Sequence, residues 1–236
     1  MPAQKIIPTN ERLIFALDVE SVAEAKRIVE SLGDAVNFYK LGLELFMSDG
    51  YLGMLDWLAD RNKKTMADLK FFDVPNTVAS AIRQLRRRHP TFATVHGNDE
   101  ILRAACGEKH DIKLLAVTVL TSLDSADLAD LGFTCDPKTL VLSRARRALE
   151  IGCDGVVSSG MEAEDLRDRL GQNFLVVVPG IRPVANVDDQ KRTVDVEDAF
   201  RAGADYIVIG RPIRQAPDPR KAAEAIQARI AKLFDR

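Results

Sequence analysis

Residues 64–88 read KTMADLKFFDVPNTVASAIRQLRRR and contain a complete strand, turn and helix. KTMADLKF (64–71) has the length and apolar content of a strand, Pro75 sets a turn, and NTVASAIRQLRRR carries the amphipathic period of a helix. Working outward, the same alternation recurs along the chain. Strand-like runs fall at 12–19 (RLIFALDV), 37–45 (NFYKLGLEL), 92–97 (FATVHG), 113–121, 155–160, 174–180 and 206–211. Amphipathic segments such as VAEAKRIVESLG, LSRARRALEIG and VEDAFRAGA lie between them, and DPRKAAEAIQARIAKLF follows the last. Eight strand–helix units predict an α/β protein, a (β/α)8 TIM barrel formed as one domain over residues 1–236. A doubly wound open sheet would carry a G-x-G-x-x-G turn after the first strand, and ALDVESVAEA has none.

Of the 236 residues, 46% are hydrophobic and 29% charged, with a formal net charge of -2. That composition fits a globular protein with a sizeable core and argues against nucleic acid as a partner. Cys106, Cys135 and Cys153 are odd in number and share no metal-ligand spacing, so neither a disulfide framework nor a metal site is expected. No run of 18 apolar residues and no leader-like apolar core occurs, which predicts a cytoplasmic, unprocessed chain with no membrane partner. His89 and His110 read as loop residues, and His96 ends strand four. Trp57 in MLDWLAD reads as core, and the RRRH (86–89) and RARR (144–147) runs as solvated helix faces.

Barrel chemistry sits at the C-terminal ends of the strands, so polar residues there are the candidates. In strand one Ile14, Ala16 and Asp18 share a face, which points Asp18 into the mouth unless it caps the next helix. Lys40 stands in an otherwise apolar or small run, FYKLGLEL, and requires a carboxylate partner. Asp68 and Lys70 project to one side of strand three, and Asp73 follows in the turn. With Lys40 from the neighbouring strand they make a Lys-Asp-Lys-Asp array, in which each charge favours the charged form of its neighbours. Thr121 and Ser122 end strand five. Gly180, Arg182, Gly210 and Arg211 follow strands seven and eight, where such barrels grip phosphate. The long stretch between them, Ile181 to Thr193, has the character of a functional loop.

This set resembles orotidine 5'-phosphate decarboxylases of the common bacterial type, in order and over nearly the whole chain: FALDV, YKLGLELF, DLKFFDVPNT, VTVLTS, VVVPGIRP and YIVIGRP. The D-x-K-x-x-D-[VI]-P-x-T motif after a K-x-G strand is highly specific. The resemblance implies a catalytic tetrad of Lys40, Asp68, Lys70 and Asp73. It implies a homodimer in which Asp73 and Thr77 reach the partner's active site. Asp18 and Lys40 would bind the ribose hydroxyls, and Thr121 or Ser122 the pyrimidine. Gln190, Gly210 and Arg211 would hold the phosphate, Arg182 would lie on a closing loop, and Pro179 and Gly180 would complete the substrate contacts. Decarboxylation of orotidine 5'-monophosphate would then need neither metal nor cofactor. The chain departs from the pattern at VHGNDE (95–100) and in a slightly short loop before Gln190.

Three other readings compete. An aldolase-like barrel with a Schiff-base lysine would want that lysine depleted of nearby carboxylates, and Asp68 and Asp73 stand around Lys70. A magnesium-dependent sugar-phosphate barrel would want a carboxylate where Lys40 stands, and a non-catalytic phosphate-binding barrel would not retain all four tetrad residues.

Overall fold

The computed structural model of the protein describes residues 5–182 and 194–235. Among them eight strands run in sequence order: β1 (Leu13–Ala16), β2 (Phe38–Leu41), β3 (Lys64–Phe71), β4 (Phe92–Val95), β5 (Lys113–Val117), β6 (Gly155–Val157), β7 (Leu175–Val178) and β8 (Tyr206–Ile209). Each pairs in parallel with the next, and β8 returns to β1, so the sheet closes as the (β/α)8 expectation requires. The principal outer helices are α1 (Val22–Leu32), α2 (Tyr51–Ala59), α3 (Pro75–Leu85), α4 (Asp99–Glu108), α5 (Pro137–Ile151), α6 (Ala163–Leu170), α7 (Val196–Arg201) and α8 (Pro219–Phe234). None of the helices among the described residues is long and apolar enough to cross a membrane.

Period-two alternation divides each strand between two cores. Leu13, Phe15, Tyr39, Ala93 and Val176 face outward and are covered by helices. Ile14, Phe38, Met66, Phe92, Leu115, Val177 and Tyr206 face inward and fill the barrel. Phe38, Phe92 and Tyr206 pack ring against ring at centroid separations of 5.1–5.8 Å, closing the lumen from below. Each such pair contributes roughly 0.5–1.5 kcal/mol beyond its buried area. Two residues further along the same inward faces come Lys40, Asp68 and Thr94, and Asp18 follows two residues after the inward Ala16. The barrel therefore places an apolar plug directly beneath a polar layer.

Several strands are shorter than the sequence suggests. β2 pairs with β3 as far as Leu41↔Ala67, and Leu43–Phe46 then turn into a short helix. β5 stops at Val117, where its neighbours β4 and β6 also end. Helix α5 begins before the LSRARRALEIG segment: Asp136 Oδ1 accepts from the Thr139 amide at 2.9 Å and Pro137 fills the first turn.

VHGNDE forms the entry to α4, with Gly97 at φ 120° and the Asn98 side chain capping the Ile101 amide at 3.2 Å. His96 Nδ1 lies 2.9 Å from the Val117 carbonyl oxygen. The RARR run is not wholly solvated, because Arg144 donates to the Thr118 carbonyl oxygen at 2.7 Å and lies against Phe133. Trp57 is half-buried, not core, with Arg61 stacked 3.7 Å from its ring. All three cysteines are free thiols.

Candidate active site

A cavity of about 240 Å³ opens at the C-terminal ends of the strands. β1 delivers Asp18 to it, β2 Lys40, and β3 Asp68 and Lys70. Thr121 reaches it from the loop after β5. The segments after β7 and β8 bring Pro179, Gly180 and Arg182, and then Gly210 and Arg211. Ser122 is exposed and does not line the cavity. Gln190 lies outside the described residues.

Lys40 Nζ donates to Asp18 Oδ1 at 3.0 Å and lies 3.5 Å from Asp68 Oδ2. Lys70 Nζ donates to Asp68 Oδ1 at 3.0 Å. Asp68 is thus held between two ammonium groups, one at each oxygen. The Lys40 and Asp68 side chains are each 13% exposed, Lys70 35% and Asp18 44%, so Lys70 and Asp18 are the members open to a ligand. Each of the two buried charges has a second partner, Asp18 for Lys40 and Lys70 for Asp68.

Asp18 does not cap α1; Ser21 does, its Oγ accepting from the Glu24 amide at 3.2 Å. Gly42 makes the Lys40–Asp18 approach possible, since a Cβ at that position would sit 3.1 Å from Lys40 Nζ and 3.2 Å from Asp18 Oδ1.

Burial alone would lower the Lys40 pKa, but the charges of Asp68 and Asp18 outweigh it and hold the ammonium above its ordinary value. Burial would likewise raise Asp68, and Lys40 and Lys70 together with their hydrogen bonds bring it below the usual carboxylate range. The sign of each shift fixes where it stabilises the fold. The Asp68 contribution is present above the unfolded value of about 3.9 and is lost as pH falls through the lower folded value. The Lys40 contribution is complete below about 10.4 and is lost as pH rises through the higher folded value. Between those limits Lys40 and Asp68 both keep their charges.

Asp73 and Thr77 stand apart from the cavity of their own chain. Both are exposed, and Asp73 Oδ1 accepts from the Val74 amide at 2.6 Å. A single chain therefore assembles Lys40, Asp68 and Lys70 with Asp18, and leaves Asp73 on the rim. The loops after β2 and β3 that flank it expose Leu43, Phe46, Met47, Phe72 and Val74.

The sequence reading missed three features of the site. First, β3 is not a regular strand where the charges lie: its pairing with β4 runs Met66↔Phe92, Ala67↔Ala93 and then Phe71↔Val95, and Lys70 adopts φ 46°. Second, Thr94, fully buried on β4, accepts the Lys70 amide at 2.9 Å and donates to Asp68 Oδ1 at 2.9 Å. Its inward position two residues after Phe92 was the available signal. Third, Arg214 lines the cavity and donates to the Asp18 carbonyl oxygen. It lies one helical turn after Arg211 in the short helix Arg211–Arg214.

Among the described residues, five cationic side chains and two carboxylates line the cavity. Val117, Val119, Leu120 and Val157 form an apolar wall opposite the charged one. The arrangement suits a polyanion with a flat apolar portion, seated on an ammonium group that is supported from behind.

The family model described as "Orotidine 5'-phosphate decarboxylase / HUMPS family" matches residues 11–226. A protein of Methylococcus capsulatus named orotidine 5'-phosphate decarboxylase is 60% identical over 98% of this chain and 97% of its own. One of the same name from Xanthomonas euvesicatoria is 52% identical over 95% and 93%. The crystal structure of orotidine 5'-phosphate decarboxylase from Lactobacillus acidophilus superposes with a TM-score of 0.83 at 34% identity, covering 93% of this chain and 99% of that one.

Proposed function

The chain belongs to the orotidine 5'-phosphate decarboxylase / HUMPS family, and from that membership we propose that it is a carboxy-lyase converting orotidine 5'-monophosphate to uridine 5'-monophosphate in pyrimidine synthesis. The observation that carries this reading within the family is Lys70, held by Asp68, which Lys40 holds in turn, in a cavity rich in positive charge. The substrate brings a phosphate of charge about −1.5 to −2 and a carboxylate, matching the cationic excess. The apolar wall receives the pyrimidine beside Thr121, Asp18 and Lys40 meet the ribose hydroxyls, and Gly180, Gly210, Arg182 and Arg211 grip the phosphate together with Gln190.

The reaction breaks the bond from C6 of the pyrimidine to the carboxylate carbon. Carbon dioxide leaves, and the electron pair stays on C6 in an sp² orbital that the ring cannot delocalise. Stabilisation must therefore come from fixed charge. The Lys70 ammonium lies beside C6, lowers the energy of the developing carbanion and then delivers its proton there, regaining one from water. Asp68 crowds the departing carboxylate, and it and Lys40 keep Lys70 in place. Binding energy from the distant phosphate holds the reacting carbon in register.

No metal or cofactor takes part in this scheme. The carboxylates a divalent cation would need, Asp18 and Asp68, are already paired with Lys40 and Lys70, and both ammonium groups would repel it.

The active unit is a homodimer. The exposed apolar residues around Asp73 form the kind of surface that marks an interface, and pairing two chains across it brings Asp73 and Thr77 to the partner's cavity, where Asp73 completes the tetrad beside Lys70.

The pH profile follows from the shifts. Because Asp68 lies below and Lys40 above their ordinary values, neither titrates near neutrality, so neither gives kcat a limb between about pH 5 and pH 9. The acid limb of kcat/KM falls near pH 6, where the free substrate's phosphate takes up its second proton. Steady-state rates over that range check this, and a limb of kcat near pH 7 would contradict the assignment.

A further inference from the structure

We propose that Thr94 is a positioning residue of this site, fixing the Lys70 backbone and the Asp68 carboxylate in one orientation through a single hydroxyl group. The irregularity in β3 is the starting point. Between Ala67 and Phe71 the strand advances four residues while β4 advances from Ala93 to Val95. Two extra residues are accommodated there, and extra residues in a strand lose their ladder partners. Lys70 is the residue that absorbs the distortion, at φ 46°, a left-handed conformation unfavourable for a side chain of its length. Such a backbone persists only where its surroundings hold it.

Thr94 supplies that hold. Its Oγ1 accepts the Lys70 N–H at 2.9 Å, in place of the missing ladder bond. A hydroxyl has one proton, and with an N–H already directed at its oxygen that proton goes to Asp68 Oδ1, 2.9 Å away. An ionised carboxylate can only accept, so the direction of both bonds is determined. Asp68 Oδ1 then receives Lys70 Nζ and Thr94 together, which leaves Oδ2 for Lys40. Thr94 is fully buried, so no water replaces the hydroxyl if it is removed. The second bond also helps to keep the Asp68 carboxyl below its ordinary range.

The test compares Thr94→Val, which keeps the shape and removes the hydroxyl, with Thr94→Ser, which keeps the hydroxyl. The turnover part rests on the decarboxylase reading; the titration part does not. With orotidine 5'-monophosphate, Thr94→Val is expected to lower kcat by roughly 10- to 100-fold with KM within a few-fold, since misplacement of a reacting group appears in turnover. Thr94→Ser is expected to stay within a few-fold of the parent. Independently of any substrate, the ¹³C resonance of the Asp68 carboxyl, assigned by its loss in Asp68→Asn, is followed against pH. Its midpoint is expected to rise in Thr94→Val and to stay in place in Thr94→Ser.

If the parent protein does not act on orotidine 5'-monophosphate, the decarboxylase reading fails while the titration still decides the role of Thr94. Should Thr94→Val not fold, Thr94→Ala against Thr94→Ser provides the same comparison. Serine as impaired as valine would assign the effect to packing of the methyl group and overturn the proposal. So would an unmoved Asp68 midpoint in the valine variant.

Discussion

Replacing Lys70 with alanine is expected to lower kcat by at least about 10⁴-fold while KM changes by less than roughly tenfold. Two separate contributions vanish with that side chain. A pre-placed charge facing a developing anion is commonly worth about 10²–10³ in rate, and a positioned general acid about 10²–10⁴. Neither is fully developed while the substrate is still a carboxylate. Its affinity derives instead from the phosphate and ribose contacts, which the substitution does not touch. The geometry makes the effect specific to Lys70: its side chain is 35% exposed and lines the cavity, whereas that of Lys40 is 13% exposed and committed to Asp18 and Asp68. Steady-state kinetics separates the two parameters, provided that substrate release is faster than chemistry. Equal losses in kcat and affinity would show that Lys70 only binds.

Activity is expected to return when two inactive variants share a dimer. Lys70→Ala damages the cavity of its own chain; Asp73→Ala damages the cavity of the partner, because Asp73 lies outside its own site and exposed. In a mixed dimer of the two, one cavity carries both lesions. The other carries neither, since its Lys70 and its partner's Asp73 are both intact. Random pairing makes about half of the dimers mixed, each with one sound site out of two, so co-expressed variants should recover about a quarter of the parent rate. The measurement is kcat per total chain before and after co-expression. No recovery, with mixed dimers demonstrated by differential tagging, would mean that Asp73 serves its own chain or that the site is not shared.

The polar layer was legible in the sequence because barrel strands obey a period of two. Asp18, Lys40 and Asp68 follow Ala16, Phe38 and Met66 by two residues, and the same parity that fills the lumen with apolar side chains carries the next inward position to the mouth. Lys40 needed a partner on charge grounds, and the fold supplies two. The irregular backbone at Lys70 was not legible, since a register shift depends on where the neighbouring strand pairs and not on the residues that absorb it. Thr94 could have been found by extending the parity argument to FATVHG, where it follows the inward Phe92. Arg214 was masked by the expectation that strand eight continued through residue 211, when the chain turns into a short helix at Arg211 and brings a second arginine round to the cavity. The choice between Thr121 and Ser122 turned on where β5 ends. Beyond Val117 there is no strand to alternate along, and it is Thr121 that faces the cavity.

The most direct test of metal-free decarboxylation is the ultraviolet absorbance of orotidine 5'-monophosphate mixed with the purified protein in excess EDTA. Rapid conversion to uridine 5'-monophosphate is the predicted result. No change under those conditions, with activity on sugar phosphates appearing only after magnesium is added, would contradict the account and place the chain with metal-dependent chemistry.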